Sequence, residues 1–187
     1  MHALPVQTDT PPLAFDLPLA VESGADIYQL HQHLEGRFGP RSESGYLWTL
    51  ANANQLCLVR CPGIKAGPIM LRPPTEGEVY SFHLRGLVKQ KNAASGKRGW
   101  YRLNERAPRL RWLARRAEDH GFLVETAAVH ATRLPIEKPS RLFWLDVSEF
   151  VGCLQVTDAG KLAQALVDGI GGGRAWGLGM LLLQPTN

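Results

Sequence analysis

Two side chains in this sequence are spaced for proton chemistry. Ile27, Leu30, Leu34 and Phe38 recur with the period of a helix; His31 stands four residues after Ile27, beside that stripe, and Tyr28 lies one turn earlier on the same side. A histidine next to a tyrosine at the margin of a core can carry a proton while the phenol holds a reacting group in place. The same pair also describes an ordinary structural histidine. His33, two residues further on, points nearly the opposite way, so His31 and His33 do not clasp a metal.

Other chemistries find little support. His130-Ala131-Thr132 is a single copy of the H-x-T pattern that two-histidine phosphoesterases use twice. No G-x-S-x-G elbow, H-E-x-x-H helix or G-K-[ST] loop occurs, and no paired carboxylates suggest a Mg²⁺ site. Neither a metal nor a cofactor is expected. Cys57 and Cys61 share a strand-like run that would hold them about 13 Å apart, so they and Cys153 read as small buried hydrophobes.

Six glycines occupy the eleven positions from Gly169 to Gly179, directly before an apolar run of strand length, Met180 to Leu183. A dinucleotide loop follows a strand and opens a helix, whereas this one follows a helical segment and opens a strand, without G-x-G-x-x-G spacing. With Arg174 and Trp176 inside it, the loop reads as a surface for a nucleic-acid backbone, or as a tight helix-to-strand turn with no ligand.

Charge points the same way. Residues 85 to 116 hold eleven basic side chains, Arg85, Lys89, Lys91, Lys97, Arg98, Arg102, Arg106, Arg109, Arg111, Arg115 and Arg116, against the single acid Glu105. That segment carries +10 within a chain of net +4, which leaves −6 for the remainder. A solvated helix face mixes signs, so the excess indicates a polyanionic partner, most simply nucleic acid. Arg106, Arg109 and Arg116 are expected to form a row of phosphate-binding guanidinium groups, with Leu110, Leu113, Ala114 and Ala117 on the buried face. No stretch approaches the roughly 18 apolar residues of a membrane helix, and no secretion signal opens the chain, so no membrane partner and a cytoplasmic location are expected.

The elements that position these groups repeat. After a proline-bearing arm, residues 1 to 12, Leu13 to Val21 reads as a strand near a sheet edge because of Pro18. A helix follows, with Ser23 and Asp26 as a capping box, and Gly39-Pro40 ends it. Tyr46–Leu50 and Gln55–Arg60 form a hairpin around Asn52-Ala53-Asn54, Gly67–Leu71 is a fourth strand, and residues 62 to 66 hold at most a turn. Pro73 to Gly77 reads as a linker, dividing the chain into domains 1–74 and 75–187. Beyond it come a strand from Val79, a basic stretch with a tip at Asn92–Gly96, and a helix from about Asn104 or Pro108 to His120. Strands over Phe122–Val129 and Leu142–Val156, a helix capped by Asp158 and the terminal strand complete the order. This is α+β: two tandem ferredoxin-like halves of the β-α-β-β-α-β order, the first lacking its second helix.

Four segments together resemble a known family: Asp26-Ile27-Tyr28-Gln29-Leu30-His31-Gln32, Phe82-His83-Leu84-Arg85, Arg111-Trp112-Leu113-Ala114-Arg115-Arg116, and the run from Gly169-Ile170-Gly171 through Ala175-Trp176-Gly177-Leu178-Gly179-Met180-Leu181. They are similar to CasE, the CRISPR repeat-cleaving endoribonuclease of the Cascade type within the wider Cas six family, in order across residues 13 to 185. The resemblance implies metal-independent cleavage of precursor CRISPR RNA at the base of its repeat stem-loop and retention of the product among the other subunits of an effector complex. In that chemistry a 2′-hydroxyl attacks the adjacent phosphate, leaving a 2′,3′-cyclic phosphate and a 5′-hydroxyl. His31 matches the family's catalytic histidine and Tyr28 its companion. A base from the second half is expected near the phosphate, and Lys138 and Arg141, before the long hairpin, are the candidates. Gly171, Gly172, Gly173 and Arg174, with the basic stretch, would grip the stem. A catalytically inactive RNA-binding subunit and an RNA-binding regulator with stacking sheets are the alternatives; against the latter, the strand from Val79 offers only Tyr80 and Phe82.

Overall fold

The computed structural model describes residues 11–21, 26–51, 56–91 and 98–186, excepting the side chains of Gln90, Lys91 and Arg98. Ser23, the tip at residues 92–96, Lys97 and the Asn52–Asn54 turn lie outside the described residues. The first half runs β1 (Ala14–Ala20), α1 (Ile27–Phe38), the single turn α2 (Arg41–Ser44), β2 (Leu47–Ala51), β3 (Leu56–Arg60) and β4 (Ile69–Leu71). The second runs β5 (Val79–Leu87), a short ladder of β6 (Gln90–Lys91) and β7 (Arg98–Gly99), α3 (Arg106–Asp119), β8 (Phe122–Lys138), β9 (Arg141–Val156), α4 (Ala159–Asp168), a 3₁₀ turn (Arg174–Trp176) and β10 (Leu181–Pro185).

Each half forms a four-stranded antiparallel sheet, ordered β2-β3-β1-β4 and β10-β5-β9-β8. With β5, β8, β9 and β10 as the four strands of the second half, the two orders are the same permutation, that of a ferredoxin-like unit. As expected, no helix separates β3 from β4. The face of the first sheet that carries α1 is filled instead by Ile136, Leu145 and Val147 of the β8–β9 hairpin and by Leu178, packed on Ile27, Leu34, Trp48, Leu50, Cys57 and Val59. On the other face Leu47 and Leu58 meet Met180 and Leu182. Both faces being covered, β2 and β3 are buried along nearly their whole length. A second core, built on Phe82, Leu84, Leu113, Phe150, Leu154 and Leu162, lies under α3 and α4.

Several expectations need correction. The cap of α1 is Asp26 itself, whose Oδ1 accepts from the Tyr28 amide at 2.9 Å. β1 is an interior strand; Pro18 is tolerated because β4 pairs only with Ala14–Asp16, leaving the later residues of β1 a ladder on one side. β9 matches the expected Leu142–Val156 to within one residue, but β8 is far longer than expected, and the two pair down to Lys138 and Arg141, so those two flank the turn of the hairpin and do not precede it. On α3 the buried residues are Arg109, Trp112, Leu113 and Ala117, whereas Ala114 is exposed and Leu110 half-buried.

Candidate functional site

The capped start of α1 sets Tyr28 and His31 on the face that meets the second half. There the Trp176 ring, carried on the 3₁₀ turn, has its centroid 5.3 Å from that of His31 and 6.5 Å from that of Tyr28. Phe143 of β9 meets Trp176 edge-on at 5.6 Å. The hairpin turn brings Lys138 to the same place, its Nζ 5.4 Å from the Tyr28 centroid and 5.2 Å from that of Trp176. Distances of this size are cation–π contacts. Thus Tyr28 and His31, more than a hundred positions from Lys138, share one site with it. Arg141, the cross-strand partner of Lys138, lies over the Phe143 ring at 5.7 Å and makes no such contact with Tyr28 or Trp176 among the described residues. Sequence reasoning had marked Trp176 only as a loop aromatic; Phe143, Arg41 and Tyr46, also at this site, it missed. A base directly after the Gly39-Pro40 stop of α1 was the available signal for Arg41.

The site is partly dry. The His31 side chain is 13% exposed, its Nε2 lies 3.6 Å from Glu35 Oε2, and its Nδ1 is buried without a hydrogen-bond partner. Burial holds the imidazole pKa below its usual value; Glu35 opposes that, and the charges of Lys138 and Arg41 reinforce it. His31 is therefore neutral near pH 7, the form a proton acceptor needs. The Tyr28 hydroxyl accepts from Gln32 Nε2 at 2.9 Å. Burial and Glu35 push the neighbouring Tyr46 phenol up to about 12, so it stays a hydroxyl. No three His, Cys, Asp or Glu side chains gather as metal ligands among the described residues.

The basic segment divides. Arg102, Arg106, Arg111 and Arg115 are exposed. Lys89 lies over Trp100 at 4.8 Å, and Arg116, 42% exposed, pairs with Asp119 at 3.0 Å. Lys89, Arg115 and Arg116 line a groove of about 810 Å³ with Gly171, Gly172 and Gly173. Two expected contacts are not on the surface. Arg109 is fully buried and donates to Asp146 Oδ1 at 2.5 Å, Asp146 Oδ2 at 3.0 Å and Ser148 Oγ at 2.6 Å, so it anchors α3 to β9 and is not free for phosphate. Arg85, on β5, is buried, at 5% exposed. The glycine loop turns partly inward as well: a Cβ on Gly177, where φ is +71°, would stand 2.7 Å from the Trp48 ring. Arg174 donates from Nη2 to the Gly169 carbonyl at 3.0 Å.

Two ferredoxin-like sheets in tandem define a fold class that solved structures also contain. Cse3 of Thermus thermophilus, solved bound to an RNA representing a pre-cleavage complex, shares this fold with a TM-score of 0.79 and 24% identity over 92% of this chain and 99% of that one. A chain of a CRISPR RNA-guided surveillance complex does so with a TM-score of 0.64 and 21% identity over 91% and 99%. A sequence model of the family described as CRISPR associated protein matches residues 58–185, and the chain belongs to that family. In sequence, the CRISPR-associated endoribonuclease Cse3 of Thermus thermophilus is 30% identical over 122 residues, which span 58% of this chain and 57% of that protein. The match thus covers little more than half of that relative.

Proposed function

We propose that this chain is a metal-independent endoribonuclease that cleaves precursor CRISPR RNA at the repeat stem-loop. We further propose that it stays on the product hairpin among the other subunits of a CRISPR effector complex in the cytoplasm. The division into domains 1–74 and 75–187, the first carrying the catalytic helix, belongs to the same reading. The observation that carries it is the convergence of His31 and Tyr28 with Lys138. A ribose 2′-hydroxyl supplies the nucleophile, so the protein needs a proton acceptor, a positioning group and a cation, and these three side chains are that set. His31, neutral at pH 7, takes the 2′-hydroxyl proton. The 2′-oxygen bonds to phosphorus while the bond to the 5′-oxygen breaks, and that oxygen takes a proton from solvent. Tyr28 keeps attacking and leaving oxygens in line, and the Lys138 ammonium offsets charge on the phosphate. Lys89, Arg102, Arg106, Arg111, Arg115, Arg116 and the Gly171–Gly173 rim serve the stem, since A-form RNA is held by shape and phosphates.

The test follows cleavage of a repeat stem-loop RNA in EDTA by wild type and His31→Ala, with a 2′-deoxy scissile nucleotide as control. Cleavage by wild type alone, abolished by the deoxy substitution, is expected. Tight binding without cleavage by wild type would refute the enzyme and leave an RNA-binding subunit.

A further inference from the structure

The Tyr28 side chain is held by three contacts. Its ring centroid lies 6.5 Å from that of Trp176, the two planes inclined by 36°, and the Lys138 ammonium stands 5.4 Å from it. Its hydroxyl oxygen accepts from Gln32 Nε2 at 2.9 Å. Gln32 follows Tyr28 by four residues on α1, the spacing that sets two side chains one above the other on a helix face, so the helix itself brings the amide to the phenol.

A phenol oxygen has lone pairs to accept with and one proton to give. The Gln32 nitrogen occupies a lone pair, which turns the phenolic proton away from Gln32. Neither ring contact can take that proton, since an ammonium and an indole N–H are donors only. Among the described residues no hydrogen bond donated by the Tyr28 hydroxyl occurs. The site thus presents one oriented, unspent O–H a turn away from His31, and its direction is set by a side chain with no other part in the reaction.

Direction matters to phosphate chemistry. As the 2′-oxygen adds to phosphorus, negative charge builds on the non-bridging oxygens, and a donor already aimed there lowers the barrier without reorganising. A phenol whose proton is captured by a neighbouring acceptor turns lone pairs towards that charge instead. We propose that Gln32 is a positioning residue for cleavage: by donating to the Tyr28 oxygen it commits the phenolic proton to a non-bridging oxygen of the scissile phosphate. This rests on the endonuclease reading and deepens it. Gln32 touches no reacting atom and acts through Tyr28. Its side chain is exposed, so replacing it leaves the core intact.

The experiment is a double-mutant cycle on the single-turnover cleavage rate of a repeat stem-loop RNA, with Gln32→Leu and Gln32→Glu each combined with Tyr28 and with Tyr28→Phe. Leucine removes the donor and frees the hydroxyl to rotate, so cleavage should slow roughly 2- to 10-fold, the worth of one hydrogen bond. Glutamate offers only acceptors and captures the phenolic proton. It should cost more, approaching the loss of about 10²-fold expected of Tyr28→Phe, which deletes one preorganised donor. In the Tyr28→Phe background Gln32→Leu should cost nothing further, and Gln32→Glu only the effect of its charge. Sulfur accepts hydrogen bonds poorly, so RNA carrying it at either non-bridging position of the scissile phosphate gives a signature that a purely structural role would not move. One of the two diastereomers should slow wild type, and this contrast should fall equally in Tyr28→Phe and Gln32→Glu. Affinities of the same diastereomers built on a 2′-deoxy scissile nucleotide should repeat the pattern. Equal cost of Gln32→Leu with and without the Tyr28 hydroxyl would put Gln32 on the RNA itself and overturn the proposal. A Gln32→Glu variant with the wild-type rate and sulfur contrast would mean that the amide accepts from the phenol, and overturns it equally. Wild type that binds but never cleaves refutes the endonuclease, and the affinity contrast then decides the direction of the phenol; wild type that does not bind refutes both.

Discussion

Replacing Arg109 by alanine should destabilise the protein and should not loosen the proposed grip on RNA. The guanidinium is fully buried, Asp146 is 1% exposed, and Ser148 is fully buried, so the substitution strands a carboxylate and a hydroxyl inside the second half. It also removes the donor that Nη2 aims at the carbonyls of Tyr101 and Arg102, 3.4 and 3.3 Å away. Breaking a buried pair by deleting one partner costs about 3–5 kcal/mol. At about 2.1 cal/mol/K per residue, the 187 residues of this chain give an unfolding entropy of about 0.4 kcal/mol/K, so the melting temperature should fall by about 8–13 °C. Removing both charges together, Arg109→Met with Asp146→Leu, should recover most of that loss, because no unpaired charge remains. Thermal unfolding by circular dichroism reads the first effect, and the salt slope of RNA binding below the transition reads the second. A melting temperature within about 2 °C of wild type, together with a slope shallower by about one phosphate contact, would refute the reasoning and return Arg109 to the RNA surface.

Two further outcomes follow from the site. Because burial, Lys138 and Arg41 hold His31 below its ordinary pKa of 6.5 against Glu35, the single-turnover cleavage rate should be full at neutral pH and fall with acid, with a midpoint below 6.5. Glu35→Gln should move that midpoint lower still and Lys138→Met should raise it; a rate that climbs with acid would contradict His31 as proton acceptor. Trp176→Leu removes the surface on which Lys138 and His31 rest, contacts of about 0.5–2 kcal/mol, so cleavage should slow roughly 2- to 30-fold with RNA affinity retained. Trp176→Phe, which keeps an aromatic face, should restore most of the rate, and equal loss in both variants would show that the ring only fills space.

The order of strands and helices was legible because each element carries its own period. The stripe of α1, the Asp158 cap of α4, whose Oδ1 accepts from the Lys161 amide, and the alternation of β5 are local signals. What stayed hidden depends on distant partners. Arg109 reads as one more base in a basic helix until Asp146, 37 residues on, is folded against it. The distal end of β8 looked like loop since Ile136 is its one fully buried residue there, and the surface that buries it belongs to the first half. Tyr28 and His31 could be paired from helical spacing alone. The meeting of Lys138 with Tyr28 could not, since it depends on how the distal end of the β8–β9 hairpin folds back against α1.

The site exists only where the halves meet. Tyr28, His31 and Arg41 come from the first half and Lys138 and Trp176 from the second, so the frame between the halves sets how they meet. Arg60 is central to that frame: Nε and Nη2 grip Asp16 at 2.7 and 2.8 Å within the first sheet, while Nη1 donates to the carbonyls of Leu166 at 2.7 Å and Leu181 at 3.2 Å in the second half. The two carbonyls bracket the glycine loop, the first in α4 and the second opening β10. One buried guanidinium thus fixes both ends of the segment that carries Trp176 and Arg174. Within that segment Gly177 lies against Trp48 of β2, closer than any side chain would allow, and so seats the 3₁₀ turn on the first half. The glycines therefore serve the placement of Trp176 before they serve any ligand, and in the proposed reaction the loop acts through the ring it delivers to α1.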